Sequence, residues 1–431
     1  MSGQKPREIA LRVLRRRAGG EFIEDLLESA LAQTRLSSAD RHLCQELVYG
    51  IVRWQATLDW LIARKTDGRL QNPLLQNLLR LGLYQIFWLD RIPNHAAVHE
   101  TVELAKESGF APQAGFVNAL LRGCLREFDA TKRLLAELKA AQPHAGYSHP
   151  EWLVARWQRR WSPEQAEQLM VWNNTPPKTF ARINALKTDA SKLLPQWREE
   201  NVEYDFVLHD WVGEDLVFEL KSHPPLRQLG SFQQGLFYVQ DPSTLLAVRE
   251  LDPQPAETVL DLCAAPGGKL TFMAQLLKNQ GSVIAHDLTP ERLGLVEENC
   301  ARLGVTCVQT VLPSTLDPRP SPLHDRVLVD APCSNTGVMR RRVDLRWRLR
   351  PEELGRLLVM QLKLMRQAAA LLKPGGTLVY STCSLEPEEN GEVVSEFLAA
   401  HRDFQLERER ELLPFVDQVD GAYVARLVRR A

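Results

Sequence analysis

Cysteine is scarce and unpatterned in this chain. Seven residues, at positions 44, 124, 263, 300, 307, 333 and 383, are odd in number and include no CxxC pair or histidine-rich partner cluster. A disulfide framework and a structural zinc or other metal site are therefore unsupported. Long apolar runs are missing too: charges interrupt every extended hydrophobic stretch, and the first thirty residues hold no seven-residue apolar run. The expectation is a reduced, cytoplasmic protein with no leader and no membrane partner. Net charge is almost nil, 53 basic against 54 acidic side chains. No bulk field names a partner, and any nucleic-acid surface must be local. Glycine and proline, at 24 and 26 residues, are not in excess, and apolar and charged fractions of 44% and 25% are those of globular chains. Disordered, collagenous and low-complexity classes are excluded. What the sequence does have is length: 431 residues predict two or three domains, each with its own core.

Residues 1–143 carry a helical period almost throughout, as in Ile9, Val13 and Leu14 and in Leu74, Leu75, Leu78 and Leu79. Gly19-Gly20 ends the first helix, Ser37-Ser38 opens a long one to about Arg64, and Asn72-Pro73 opens the next. This predicts an all-helical bundle with 20 basic and 16 acidic residues, +4 against −5 for the remainder, the excess lying in Arg12, Arg15, Arg16 and Arg17. Residues 144–235 mix tryptophan-bearing helices (Trp152, Trp157, Trp161, Trp172) with short β-like runs at TFARIN and DLVFEL, a small α+β domain. Those tryptophans are expected to be core. From 236 to 431, β-rich runs (TVLDLC, SVIAHD, DRVLVD, GTLVYSTC, YVARLV) alternate with helical segments. That pattern predicts an α/β Rossmann-like domain, a mostly parallel sheet with helices on both faces and a ligand crevice at the strands' carboxyl ends.

The run TVLDLCAAPGGKLTF is a buried strand ending at Asp261-Leu262-Cys263, a turn through Ala264, Ala265, Pro266, Gly267 and Gly268, and a helix from about Lys269. Glycines let a ligand approach the backbone, and a helix start presents unpaired N–H groups. The spacing is not that of a phosphate loop. Nineteen residues after Gly268 the next strand ends in Asp287, where a carboxylate can accept both ribose hydroxyls of a nucleoside cofactor.

Two later strands end as LVDAPCSNTGV and LVYSTCS, which places Asp330, Cys333 and Cys383 at carboxyl ends. Cys44, Cys124, Cys300 and Cys307 read as small inert hydrophobes. Two thiols and a carboxylate suit one chemistry. A thiolate adding to carbon 6 of a cytosine makes carbon 5 an enamine that attacks an electrophilic methyl group. The thiol must be partly ionised. Asp330 can share a proton with N3 as sulfur adds, and a base must then remove the carbon-5 proton, with the second cysteine a candidate helper. Residue types alone do not rank the two thiols.

In order, LDLCAAPGGK, DAPCSNTGVMRR, the LKPGG turn before LVYSTCS, and PEEN resemble the bacterial 16S ribosomal RNA cytosine-C5 methyltransferases of the Fmu/Sun (RsmB) group, within the NOL1/NOP2/Sun family. The helical stretches RHLCQELVYGIVRW, LGLYQIFWL, IPNHAAVHETVELAK and FVNALLRGCLR resemble that group's NusB-like RNA-binding domain, so the likeness spans nearly the whole chain. It implies that Cys383 attacks and Cys333 assists release, that Cys263 to Lys269 hold S-adenosylmethionine and Asp287 its ribose, and that Asp330 meets the cofactor's methionine end or the target base. Pro332 would shape the turn beside the base. Where the family has Gly-Asp after its third strand, this chain reads VQTVLPSTLD, with Leu312-Pro313 in place and no acid before Asp317; Ser314 or backbone would then meet the adenine. Where the family has His-Pro-Asp, it reads Arg342-Val343-Asp344.

Arg340, Arg341, Arg342, Arg346, Arg348 and Arg350 oppose a single acid, Asp344, with Trp347 among them. As they directly follow the Cys333 loop, they are expected to meet RNA phosphates, with a flipped cytosine reaching the thiol. The leading expectation is a monomeric, S-adenosylmethionine-dependent cytosine-C5 methyltransferase of 16S ribosomal RNA. Two alternatives stay open: the same chemistry on transfer RNA, and an RNA-binding ribosome-assembly factor weakened by the missing acid.

Overall fold

The computed structural model describes residues 5–17, 19–312 and 323–431, so Pro313, Ser314 and Asp317 of the departing stretch lie outside the described residues. The chain forms two compact units, Met1–Thr175 with Arg342–Arg348, and Pro176–Arg341 with Leu349–Ala431.

The first unit is the helical bundle. Its core joins Ile9, Val13, Leu47, Ile51, Leu78 and Leu121, the positions of the helical period. Asn72 caps the helix Pro73–Trp88 by accepting from the Leu74 N–H at 2.9 Å, with Pro73 at its first turn. The single helix expected from Ser37 to Arg64 is two, Ser38–Arg53 and Gln55–Lys65. Trp54 breaks it with φ −99° and ψ 19° and packs against Trp88 with ring centroids 5.3 Å apart. The unit extends past 143 because the helices Glu151–Arg160 and Pro163–Asn174 close back on the turn before them, Asn174 Nδ2 donating to the Tyr147 carbonyl at 2.7 Å. Trp157 is core there, at 1% exposure.

The second unit holds two sheets. β1 (Thr179–Ile183), β2 (Glu203–Phe206), β3 (Val217–Ser222) and β4 (Phe237–Val239) form an antiparallel sheet in the order β2-β3-β1-β4. Trp197, Phe218 and Phe237 pack beneath it. The larger sheet contains β5 (Thr258–Asp261), β6 (Ser282–His286), β7 (Val308–Val311), β8 (His324–Asp330), β9 (Leu372–Thr382), β10 (Phe404–Leu412) and β11 (Ala422–Arg429). Its order is β10-β11-β9-β8-β5-β6-β7. The pairings among β9, β8, β5, β6 and β7 are parallel, and β11 pairs antiparallel with β9 and β10. Successive residues on a strand point to opposite faces. Val259, Leu328, Val379 and Val424 accordingly join one core cluster, and Leu260, Val327, Tyr380 and Tyr423 the other. A sheet covered on both faces needs such continuous apolar strands. Strand order reverses between β8 and β5, which opens a crevice at their carboxyl ends.

Candidate active site

The turn after β5 is shaped by its glycines. Gly267 has φ +102°, a left-handed conformation that favours glycine, and Gly268 begins the helix Gly268–Leu276. A Cβ on Gly268 would lie 3.2 Å from Tyr238 and 3.3 Å from Gln240. Cys263, Ala265, Gly268 and Lys269 are half-buried, Ala264 and Gly267 buried, and Pro266 exposed.

Three acids surround this turn. Asp261, 1% exposed, accepts from the Cys263 N–H, and burial, then the Asp330 charge, push its carboxyl up to about 7. Asp330, at the end of β8, accepts from Lys269 Nζ at 2.7 Å and from the Ser381 hydroxyl at 2.8 Å. Burial alone would lower the Lys269 pKa, but the Asp330 carboxylate outweighs it and the net shift is upward. Asp287, at the end of β6, accepts from the Ala265 N–H at 2.9 Å and the Leu288 N–H at 2.8 Å. Its other acceptor directions are taken by Arg292, whose Nε lies 2.5 Å and Nη2 3.2 Å away. Burial opposes ionisation of Asp287, yet these donors hold its pKa below the ordinary value.

Cys333 and Cys383 lie on the neighbouring β8 and β9 ends, and their Sγ atoms are 3.3 Å apart. Cys383 is half-buried and donates to Asn335 Oδ1 at 3.0 Å, while Asn335 Nδ2 donates to the Cys333 carbonyl at 2.7 Å. Cys333 is buried, and its thiol is held well above the ordinary range, first by the hydrogen bond to Cys383 and then by burial. Burial also pushes up the thiols of Cys44, Cys124 and Cys300, which are core, and that of the half-buried Cys307. The Cys263 thiol is raised too, by burial and then by Asp261.

The two cysteine loops are laced together by groups to which the sequence reading gave no role. Glu389, fully buried, accepts from the Ser334 N–H at 2.8 Å, the Ser384 hydroxyl at 2.6 Å, Gln361 Nε2 at 3.1 Å and the Ser334 hydroxyl. Gln361 also donates to the carbonyl of exposed Pro332 at 3.0 Å. The Gly337 N–H donates to the Cys383 carbonyl at 2.9 Å, and a Cβ on Gly337 would stand 2.8 Å from that oxygen. The PEEN and SNTG wording carried the signal for Glu389 and Asn335, but only the fold shows that they meet the cysteines.

The arginine run divides between the units, and burial corrects the expected phosphate role for Arg340 and Arg346. Arg340 is 1% exposed, with Nε 2.5 Å from Asp420 and Nη2 3.4 Å from Asp241. Arg341 reaches the same two carboxylates at 2.5 and 2.8 Å. Burial and then the Asp241 charge push Asp420 up to about 6, while the arginines outweigh burial at Asp241 and lower it. In the first unit, Arg346 is fully buried and donates to the carbonyls of Arg53, Ser148 and Asn173 and to Asn174 Oδ1 at 2.9–3.3 Å. A guanidinium buried among interior acceptors is out of reach of a phosphate in solution. Arg340 and Arg346 are thus structural, as is Trp347, which donates to the Val52 carbonyl at 2.7 Å. Arg348 is tied to Asp344 at 2.8 Å, and Arg342 and Arg350 are exposed.

Comparison with known proteins agrees with this architecture. Residues 248–428 match the model of the 16S rRNA methyltransferases RsmB/F, residues 4–126 that of the NusB family, and residues 149–216 that of the RsmF/B-like ferredoxin-like domain. A probable ribosomal RNA small subunit methyltransferase B of Bacillus subtilis is 39% identical over 411 residues, covering 93% of this chain and 89% of that protein. The ribosomal RNA small subunit methyltransferase B of Klebsiella pneumoniae is 36% identical, covering 92% of each. A solved methyltransferase homologue from Pyrococcus horikoshii superposes with a TM-score of 0.58 at 28% identity, over 66% of this chain and 97% of that one. The order of helical bundle, small antiparallel sheet and methyltransferase sheet, and the identity maintained across all three, place this chain in the RsmB/F family of 16S rRNA methyltransferases.

Proposed function

We propose that the second unit transfers a methyl group from S-adenosylmethionine to carbon 5 of a cytosine in small-subunit ribosomal RNA, with Cys383 as the attacking thiol. The observation that carries this reading is the pair of sulfurs 3.3 Å apart on adjoining strand ends, beside the Lys269–Asp330 pair.

The residues around the glycine turn fit the cofactor. Gly267 and Gly268 open a cradle that a side chain would close, and three carboxylates against Lys269 and Arg292 suit a ligand bearing sulfonium and ammonium charges. Cys263 to Lys269 and Asp330 would hold its methionine end and Asp287 its ribose, in exchange with the half-exposed Arg292. The bound cofactor supplies an electrophilic methyl group. As the sulfur of Cys383 bonds to carbon 6 and the carbon 5–carbon 6 double bond opens, the thiol proton passes by way of the Asp330 carboxylate to N3, which offsets the charge developing on the ring. After methylation, carbon 5 loses its proton to a base, the carbon–sulfur bond breaks, and the N3 proton returns by way of Asp330 to the departing thiolate. Cys333 is placed to help at that second stage. The strongest influence raising its pKa is the hydrogen bond to Cys383, and a thioether at that position would be a weaker acceptor.

Tritium transfer from labelled cofactor to a ribosomal RNA fragment tests the assignment. Cys383→Ala should abolish transfer while leaving cofactor affinity within about twofold, and Cys333→Ala should accumulate a denaturant-resistant protein–RNA band. Turnover retained without Cys383, or no such band without Cys333, would overturn the respective role.

A further inference from the structure

The first unit carries a cleft of about 260 Å³, lined by Trp54, Thr57, Phe87, Trp88, Leu135 and Ala136, with Lys132, Lys139 and Gly146 completing the wall. We propose that it is a second RNA site, which takes one unpaired base against its aromatic floor and the flanking phosphates on Lys132 and Lys139. The proposal rests on the reading that ribosomal RNA is the substrate, and it names where RNA is held away from the thiols.

Three observations point to a nucleotide. The lining is aromatic: Trp54 and Trp88 pack at 5.3 Å with their rings tilted by 42°, and Phe87 meets Trp88 edge-on at 6.4 Å. Planar faces of this kind hold bases without regard to sequence. The rim is cationic. Lys132, Ala136 and Lys139 follow one face of the helix Phe128–Ala141, and neither lysine has an ion-pair partner among the described residues. Their ammonium groups instead stand over rings, Lys132 at 4.5 Å from Phe128 and Lys139 at 5.2 Å from Tyr147. The nearby Glu127 is paired with Lys65 at 2.7 Å, and Glu167 accepts from the Tyr147 hydroxyl. The third observation is size. The cleft lies just under the range of drug-sized pockets and is suited to one flat group.

The wall that makes the site is built by residues 128–146, which fall between the matched segments ending at 126 and beginning at 149. Helix and turn close tightly there, since a Cβ on Gly146 would stand 2.5 Å from the Lys139 Cα. A protein segment seated in the same cleft would need apolar side chains and acids, and would leave RNA affinity untouched when the lysines change.

The test uses the full chain and a fluorescein-labelled ten-nucleotide single-stranded RNA without cytosine, which offers nothing to Cys383. Lys132→Glu with Lys139→Glu should weaken binding about tenfold or more and reduce the slope of log affinity against log salt by about 1.4, two single-strand contacts of about 0.7 each. The paired Gln variant should show the same loss of slope with unchanged melting, and Phe87→Ala should weaken binding with the slope retained. With a ribosomal RNA fragment, the charge-reversed enzyme should show a raised KM at unchanged kcat. Unchanged affinity and slope in both lysine pairs would overturn the site, as would equal affinity for a duplex of the same length. Cys383→Ala leaves this binding readout intact, so the catalytic reading and this one fail separately.

Discussion

At the scale of single residues, burial and neighbouring charge set the character of the site. Cys333 is held protonated by its neighbour, whereas Cys383 reaches Asn335 and is half-exposed. Burial and then the Asp330 charge push the Asp261 carboxyl up to about 7. At pH 6 it is mostly neutral, and a bound cation favours its ionised form. Affinity for S-adenosylmethionine should therefore rise between pH 6 and 8 and level off above, whereas Asp261→Asn should bind more weakly, by about tenfold, without that rise. Calorimetric titration across this range decides it, and a wild-type profile identical to that of Asp261→Asn would refute the role. Residue identity alone located Cys333, Cys383 and Asp330 because their strands and motifs are contiguous. It missed Glu389, whose partners Ser334, Ser384 and Gln361 come from three separate segments. A contact set by folding leaves no spacing to read.

At the scale of elements, the glycine turn illustrates what local chemistry can specify. Gly267 at φ +102° and ψ 8° permits the chain to leave β5 and enter the next helix in one step. A Cβ there costs about 1–2 kcal/mol in a left-handed conformation. Gly267→Ala should accordingly lose about tenfold in cofactor affinity while the protein stays folded, by the same calorimetry with a melting curve alongside; full affinity would show that the turn's conformation does not matter. The strands of the parallel core and the helices from 268, 290 and 351 are legible because their apolar periods are strong and their boundaries carry proline, glycine or a capping side chain. β10 was not, since FQLEREREL is charged and lies at the sheet edge, where only one flank pairs. The break at Trp54 was also invisible, because it is made by packing on Trp88 rather than by a breaker residue.

At the scale of the whole molecule, the chain visits its first unit twice, the second time through the seven residues Arg342–Arg348. From the sequence this segment reads as a phosphate-contacting arginine face, because charge density and its place after the Cys333 loop are all that the sequence displays. In the fold, Asp344 is fully buried and accepts from Arg17 at 2.5 Å and Arg348 at 2.8 Å, and Arg346 satisfies four interior acceptors. Removing one partner from a buried polar set leaves the others unpaired. Arg346→Ala should then destabilise the first unit by about 3 kcal/mol, read by hydrogen exchange in its helices, with the salt slope of RNA binding unchanged. Unaltered stability with a reduced slope would restore the phosphate role. Three domains were visible in outline, since helical period, mixed pattern and strand–helix alternation follow one another along the chain. The partition into units was not, because it depends on the return of residues 342–348.

The central claim is that the sulfur of Cys383 bonds to the target base, and the most direct measurement replaces the carbon-5 hydrogen of that base by fluorine. With no proton to remove, release is blocked after methyl transfer. Incubating the wild-type enzyme with S-adenosylmethionine and 5-fluorocytidine-substituted ribosomal RNA, followed by digestion and mass spectrometry, should yield a nucleotide-modified peptide with the added mass on Cys383. Adduct mass on Cys333, or no adduct from RNA that the enzyme demonstrably methylates in its unsubstituted form, would contradict the account.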